Sequence, residues 1–201
     1  RMAFVLMLVL AMVALLASLW LLPTTLGPQG KRPAPINLEV LKIPRVARVL
    51  AIGFVFMLAF YTCYAFLGTY VRQTMGLNAS QAAYFVLAYG AFFGLASFVS
   101  PLIDRWGEER VFTPLLLVIA CLYLVMTQGP YGFWPTFFLV GIWGFFNHFV
   151  LNMLVSLLAK ANPERLGETL GINSSLTYAS SLIGSGLIGR LYIPYGFRSL
   201  A

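Results

Sequence analysis

The sequence predicts an all-α fold, a polytopic helical membrane protein with six transmembrane helices of a kind that packs into a bundle. Three observations lead there. Sixty per cent of the 201 residues are hydrophobic and 9% are charged, whereas soluble chains carry about a quarter charged residues. The mean hydropathy is +0.87. The apolar residues also gather in six runs, at 2–22, 48–71, 79–101, 111–127, 134–158 and 168–191, each near the ~20 residues a helix needs to cross a bilayer. The runs do not alternate in polarity, as the ~10-residue strands of a membrane β-barrel would.

Span one is almost wholly aliphatic, with Ser18 its lone interior polar residue. It is too long for a signal-peptide core, and no small-residue cleavage pattern follows it. The longest connection comes next. Pro23, Pro28, Pro33, Pro35 and Pro44, with Gly27 and Gly30, resist a continuous helix, and Lys31 and Arg32 mark the segment as cytoplasmic. It reads equally as a loose linker and as an ordinary loop. Span two carries Tyr61, Thr62 and Tyr64 in its interior. Span three follows Asn78 and Ser80, either of which can cap it, and holds Gly90 and Gly94 at the spacing that lets helices approach closely.

Between spans three and four, Ser100 to Arg110 spends five charges within seven positions (Asp104, Arg105, Glu108, Glu109 and Arg110). So charged a turn between two apolar runs must face water. Span four is aliphatic, like span one. Span five has Pro135 near its first turn, where a missing N–H costs nothing, and Asn147, His148 and Asn152 further in. Asn162-Pro163-Glu164 reads as a cap, a first-turn proline and an acid at the positive end of a helix. Span six carries Asn173, Ser174, Ser175, Thr177 and Tyr178, then the small-residue pairs Ser180/Gly184, Ser181/Ser185 and Ser185/Gly189. Polar groups in hydrocarbon are costly unless they face protein or a wet cavity. Spans two, five and six should therefore turn a face inward, with spans one and four as lipid-facing supports. The expected organisation is a transmembrane helix of a preceding unit at 1–22, a cytoplasmic linker at 23–47 and a five-span bundle at 48–201.

The formal charge of +7 invites a nucleic-acid reading, but its distribution argues against one. With loops assigned alternately to two sides, Lys31, Arg32, Lys42, Arg45, Arg48, Arg105, Arg110, Lys160 and Arg165 share one side, against Arg1, Arg72, Arg190 and Arg198 on the other. This asymmetry follows the positive-inside rule and makes the first side cytoplasmic. Cys63 and Cys121 both sit among apolar neighbours and read as small buried hydrophobes. No metal-ligand cluster, Gly-x-Ser-x-Gly or phosphate-binding loop is present, so neither an enzyme nor a bound cofactor is expected. The chain starts on Arg1 and stops just after a turn-like Tyr195-Gly196-Phe197-Arg198, which reads as a fragment.

With these features in hand, the chain resembles the major facilitator superfamily of secondary transporters, in particular its bacterial drug and sugar efflux antiporters. The charged turn is similar to the family's loop signature Gly-x-x-x-Asp-Arg-x-Gly-Arg-Arg. Asp104, Arg105 and Gly107 match it, Ser100 replaces the leading glycine, and Glu108-Glu109 replace the basic pair. Asn162-Pro163-Glu164-Arg165-Leu166-Gly167 resembles the Pro-Glu-x-x-Gly that opens helix eleven of those antiporters. Arg1-Met2-Ala3-Phe4 and Gly196-Phe197-Arg198 resemble the turns before helices six and twelve, and the two arginines stand 197 positions apart. The resemblance implies that the six spans are helices six to eleven, that their partner is the missing N-terminal half of the same transporter, and that the chain lies in a bacterial inner membrane.

The resemblance further implies proton-coupled efflux of a small organic solute by alternating access, with the two halves rocking around a midmembrane site. A scaffold or sensor that keeps the fold without transporting is the alternative. Tyr61 and Tyr64 share a helix face and, with Asn147, His148, Asn152 and Tyr178, are the candidates for lining the cavity. The tyrosines read equally as aromatic packing, and Asn147 as an interhelical hydrogen bond. His148 is the only histidine and reads either as a proton-coupling group or as a neutral hydrogen-bonding one. Asp104, Arg105 and Gly107 form either a conformational latch, which the family pattern implies, or a solvated turn.

Overall fold

The computed structural model describes residues 2–21, 38–101, 105–129 and 131–196. The chain divides into two compact units, Arg1–Ile36 and Asn37–Ala201. The first contributes α1 (Met2–Leu21), twenty residues without a charge. The hydroxyl of Ser18 donates to the Leu15 carbonyl at 2.7 Å, so the one interior polar group is satisfied within the helix. The proline-rich stretch 22–37 lies outside the described residues.

The second unit opens with a 3₁₀ turn, Leu38–Lys42, and then runs through α2 (Pro44–Met75), α3 (Ala79–Ala96), α4 (Glu108–Thr127), α5 (Phe133–Ala161) and α6 (Leu166–Ser181). Helices α2 to α5 are each long and apolar enough to cross a membrane. Both α2 and α5 outrun their apolar cores, because the charged residues at their ends (Arg45, Arg48, Arg72 and Lys160) continue the helical hydrogen bonding beyond the apolar stretch. By contrast α3 stops at Ala96, short of the expected 101. Its carbonyls are taken there by Ser97, whose hydroxyl bonds Gly94 at 2.7 Å, and Pro101 follows.

The local signals were used unevenly. Asn78 caps α3 in a full capping box, its side chain accepting from the Gln81 amide at 2.8 Å while the Gln81 side chain accepts from the Asn78 amide at 3.0 Å. The expected cap at Asn162 is not formed. Asn162 instead ends α5, its N–H donating to the Leu158 carbonyl, and its side chain donates to Thr169 at 3.2 Å. A residue before proline is pushed out of the α region, so Pro163 closes the preceding helix, and α6 begins only at Leu166. The sixth span is not one regular helix. After Ser181 the backbone widens into a π turn over Leu182–Leu187, tightens to 3₁₀ over Ile188–Leu191 and finishes in a single helical turn, Tyr192–Tyr195. Gly184, Gly186 and Gly189 weaken α propensity there, and π turns of this sort accommodate tight local packing.

Helix α5 is the hub of this unit, packing on α2, α3, α4 and α6. Its contact with α3 is the most extensive, and Gly144 is the reason: a Cβ there would run into the main-chain carbonyl of Tyr89. Helix α2 packs on the sixth span through a second close approach just beyond α6, where a Cβ on Gly184 of the π turn would stand 3.0 Å from the Leu58 carbonyl. Beside it the Ser180 hydroxyl donates to the Phe54 carbonyl at 3.1 Å. Gly90 and Gly94 meet open space, so the α3 pair does not make the α3–α5 contact. Helix α4 turns Phe112, Leu115, Ile119, Tyr123 and Met126 to the bundle and leaves Leu117 and Leu124 exposed. Cys63 is buried as expected, whereas Cys121 lies on the outward face of α4.

Candidate functional site

The centre of the bundle is aromatic. The Tyr64 ring of α2 stacks on Phe60 with centroids 5.1 Å apart and leans on Tyr89 of α3 at 5.1 Å. Tyr89 meets Trp143 of α5 edge-on at 5.1 Å, and Trp143 is wholly buried. Tyr61 touches this group through Phe60, at 5.2 Å. One helical turn of α5 beyond Trp143, the Asn147 side chain is 0% exposed and its amide donates to the Tyr89 hydroxyl at 3.1 Å. Asn147 thus makes an interhelical bond, and its Oδ1 is left buried without a partner among the described residues.

A second cluster adjoins the first through Phe93, which stacks on Tyr89 at 6.0 Å and meets the His148 ring edge-on at 4.8 Å. The Nε2 atom of His148 lies 2.8 Å from the Asn152 amide nitrogen and 3.1 Å from the Ser100 hydroxyl. With the Asn152 amide nitrogen as donor, Nε2 accepts and a neutral ring carries its proton on Nδ1. That Nδ1 is buried and has no partner among the described residues. Side by side on α5, Asn147 and His148 therefore each keep one buried polar atom unspent, where native proteins satisfy most such atoms.

The same face of α5 continues toward the charged turn. His148, Asn152, Ser156 and Lys160 follow one another at four-residue spacing, so they stand above one another along the helix. Ser156 donates to Glu108 at 2.7 Å and Lys160 pairs with the other Glu108 oxygen at 2.9 Å. Glu109 pairs with Arg45 of α2. The two glutamates that replace the signature's basic pair thus tie the start of α4 to α5 and α2. Arg165 and Glu39 add a looser pair at 3.5 Å.

Asp104 lies outside the described residues. Arg105 is exposed, and Gly107 takes φ +84° as it starts α4, a conformation L side chains rarely adopt. The glycine of the signature is therefore required by the turn. Tyr178 is 75% exposed on α6 and stands apart from the other candidates. The structure joins Tyr61, Tyr64 and Asn147 in one cluster and His148 with Asn152 in the next. Sequence reasoning missed Tyr89, Phe93, Trp143 and the bonding role of Ser100, which link the two. Tyr89 carried a usable signal, a phenol in the middle of an apolar span. Among the described residues no three His, Cys, Asp or Glu side chains gather as a metal site.

A bundle of long apolar helices with an internal polar seam defines a class, and comparison with known proteins identifies it. The profile of the Major Facilitator Superfamily matches residues 1–200, and the chain belongs to that family; it is a multi-pass membrane protein. Three proteins of Bacillus subtilis (strain 168) are similar to it, each described as an uncharacterized MFS-type transporter. YwfA is 27% identical over 173 residues, covering 85% of this chain and 41% of its own length. YceJ is 25% identical, covering 80% of this chain and 42% of its own length. YbcL is 22% identical, covering 90% of this chain and 46% of its own length. The chain thus spans less than half the length of these relatives. No solved structure matches it.

Proposed function

We propose that this chain forms roughly helices six to eleven of a secondary active transporter that expels a small organic solute, a drug, sugar or similar molecule, by proton-coupled alternating access. The rest of the machine is an N-terminal half, and the setting is a bacterial inner membrane with Lys160 and Arg105 on the cytoplasmic side. The observation that carries this reading is the pair of unspent buried atoms, Asn147 Oδ1 and His148 Nδ1, midway along the helix that touches every other wall of the bundle. Solute contacts fall to Tyr61, Tyr64 and Asn152 around them, with Tyr178 exposed and apart on α6.

His148 is the proton-coupling group in this reading. When Nε2 takes a proton it can no longer accept from Asn152. The new N–H is then donated either to the Ser100 oxygen, reversing that bond, or to an Asn152 amide that has turned its oxygen inward. Ser100 ends the α3 side of the charged turn, so protonation at midmembrane is felt where Asp104, Arg105 and Gly107 act as the latch. Against the positive end of a helix from the other half, the Asp104 carboxylate would contribute about 1 kcal/mol to one access state.

The test is solute movement in vesicles holding the intact transporter, with and without an imposed pH gradient. Gradient-dependent export that survives Tyr89→Phe but loses its gradient dependence in His148→Gln is the expected result. Unaltered proton-driven transport in His148→Gln would remove histidine coupling. The alternative, a scaffold or sensor without transport, is favoured by the way Phe60, Tyr64, Tyr89 and Trp143 fill the centre of the bundle. It predicts no export of any solute under either condition.

A further inference from the structure

A groove runs between α2 and α4. Its inner part is a cavity of about 480 Å³ walled by Val55 and Ala59 of α2 and by Leu116, Ala120 and Tyr123 of α4. These walls offer almost no polar atom. At the charged ends of both helices the groove opens into a second cavity of about 460 Å³, lined by Arg45, Arg48 and Glu109. Ile52 borders both cavities, so an apolar floor and a polar mouth adjoin along the same groove.

The charges at the mouth do not cancel. Glu109 is held by Arg45. Arg48 spends one N–H on the Pro44 carbonyl of its own helix, at 3.1 Å, and among the described residues no carboxylate pairs with it. Two guanidinium groups and one carboxylate leave a net charge of +1 at the point where both helices leave the apolar zone. An occupant complementary to both parts is anionic at one end and a slender hydrocarbon beyond it.

The geometry points to a site for one anionic glycerophospholipid, phosphatidylglycerol being the type that fits. Its phosphate lies between Arg45 and Arg48, as basic pockets between membrane helices hold anionic head groups. Its head-group hydroxyls donate to Glu109, the one acceptor at the mouth. One acyl chain runs past Ile52 into the groove, where Ala59 and Ala120 leave room for it. The site does not depend on transport, and it would hold α2 and α4 together across a gap that their own side chains leave unfilled.

The experiment is native mass spectrometry of the full chain released from detergent micelles doped with phosphatidylglycerol, phosphatidylethanolamine or phosphatidylcholine at equal content. One retained phosphatidylglycerol per chain is expected, in clear preference to the other two. Arg48→Gln should lower its retention about fivefold, the factor one basic residue contributes near an anionic surface. Ala120→Trp, which fills the groove from an exposed position, should lower it as well, while Arg72→Gln at the other end of α2 should not. Melting in lipid-free detergent checks that each variant is folded. Equal retention of all three lipids, preference for phosphatidylethanolamine, or wild-type retention in Ala120→Trp would each overturn the assignment.

Discussion

Gly144 and Gly90 look alike in the sequence, each a glycine in an apolar run, yet their surroundings set them apart. A methyl group at 144 would strike the Tyr89 carbonyl, which is main chain and cannot swing aside, whereas at 90 it would meet nothing. Gly144→Ala should therefore cost about 1–3 kcal/mol, the usual penalty of overpacking, and lower the melting temperature in detergent. Gly90→Ala should leave it unchanged or raise it slightly, since alanine favours the helix. Asn147→Leu removes the bond to Tyr89 but also a buried amide with an unspent oxygen. Interhelical bonds in membranes contribute about 0.6 kcal/mol on average, so the variant should melt within a degree or two of the parent. A collapse instead would mean that the Asn147–Tyr89 bond is central to the fold.

At the scale of elements, the caps and ties lie at helix ends and are separable from the apolar packing. Asn78→Ala removes the side-chain acceptor of the α3 capping box, leaving the bond from its own backbone N–H to Gln81, and should cost about 1 kcal/mol, read as a lower unfolding midpoint with no change in helix content. Glu108 is 15% exposed and bridges Ser156 and Lys160, whereas the Arg45–Glu109 and Arg165–Glu39 pairs are largely exposed. Exposed pairs contribute about 0–1 kcal/mol and are screened by salt. Glu108→Ala should accordingly destabilise more than Glu109→Ala, and raised salt should shrink the Glu109 effect while sparing much of that at Glu108. Equal effects at both positions would mean that Glu108 does not fasten α4 to α5. The irregular end of the sixth span also belongs to this scale. Its serines and glycines were legible as packing residues, but a π turn depends on how α2 presses against Gly184, which no local pattern records.

For the whole molecule, orientation is the testable consequence of charge. In a background with Cys63 and Cys121 replaced by Ser, Arg110→Cys should react with an impermeant thiol reagent only from the cytoplasmic side, and Asn78→Cys only from the opposite side. Labelling of both from one side would contradict the alternating assignment of loops. The all-helical class, the places of the helices and the water-facing turn were determined by the sequence alone. Hydrophobic run length and charge placement are strong, local signals in a membrane, where every backbone group must be satisfied within its own helix. Only the tertiary structure decided that Asn147 bonds to Tyr89, that His148 joins Ser100 and Asn152, and that the signature's glutamates tie three helices together. Those outcomes depend on the rotation of one helix against another, which is set by close approaches such as Gly144 on Tyr89. A sequence lists the small residues that permit such approaches, but not which of them find a partner.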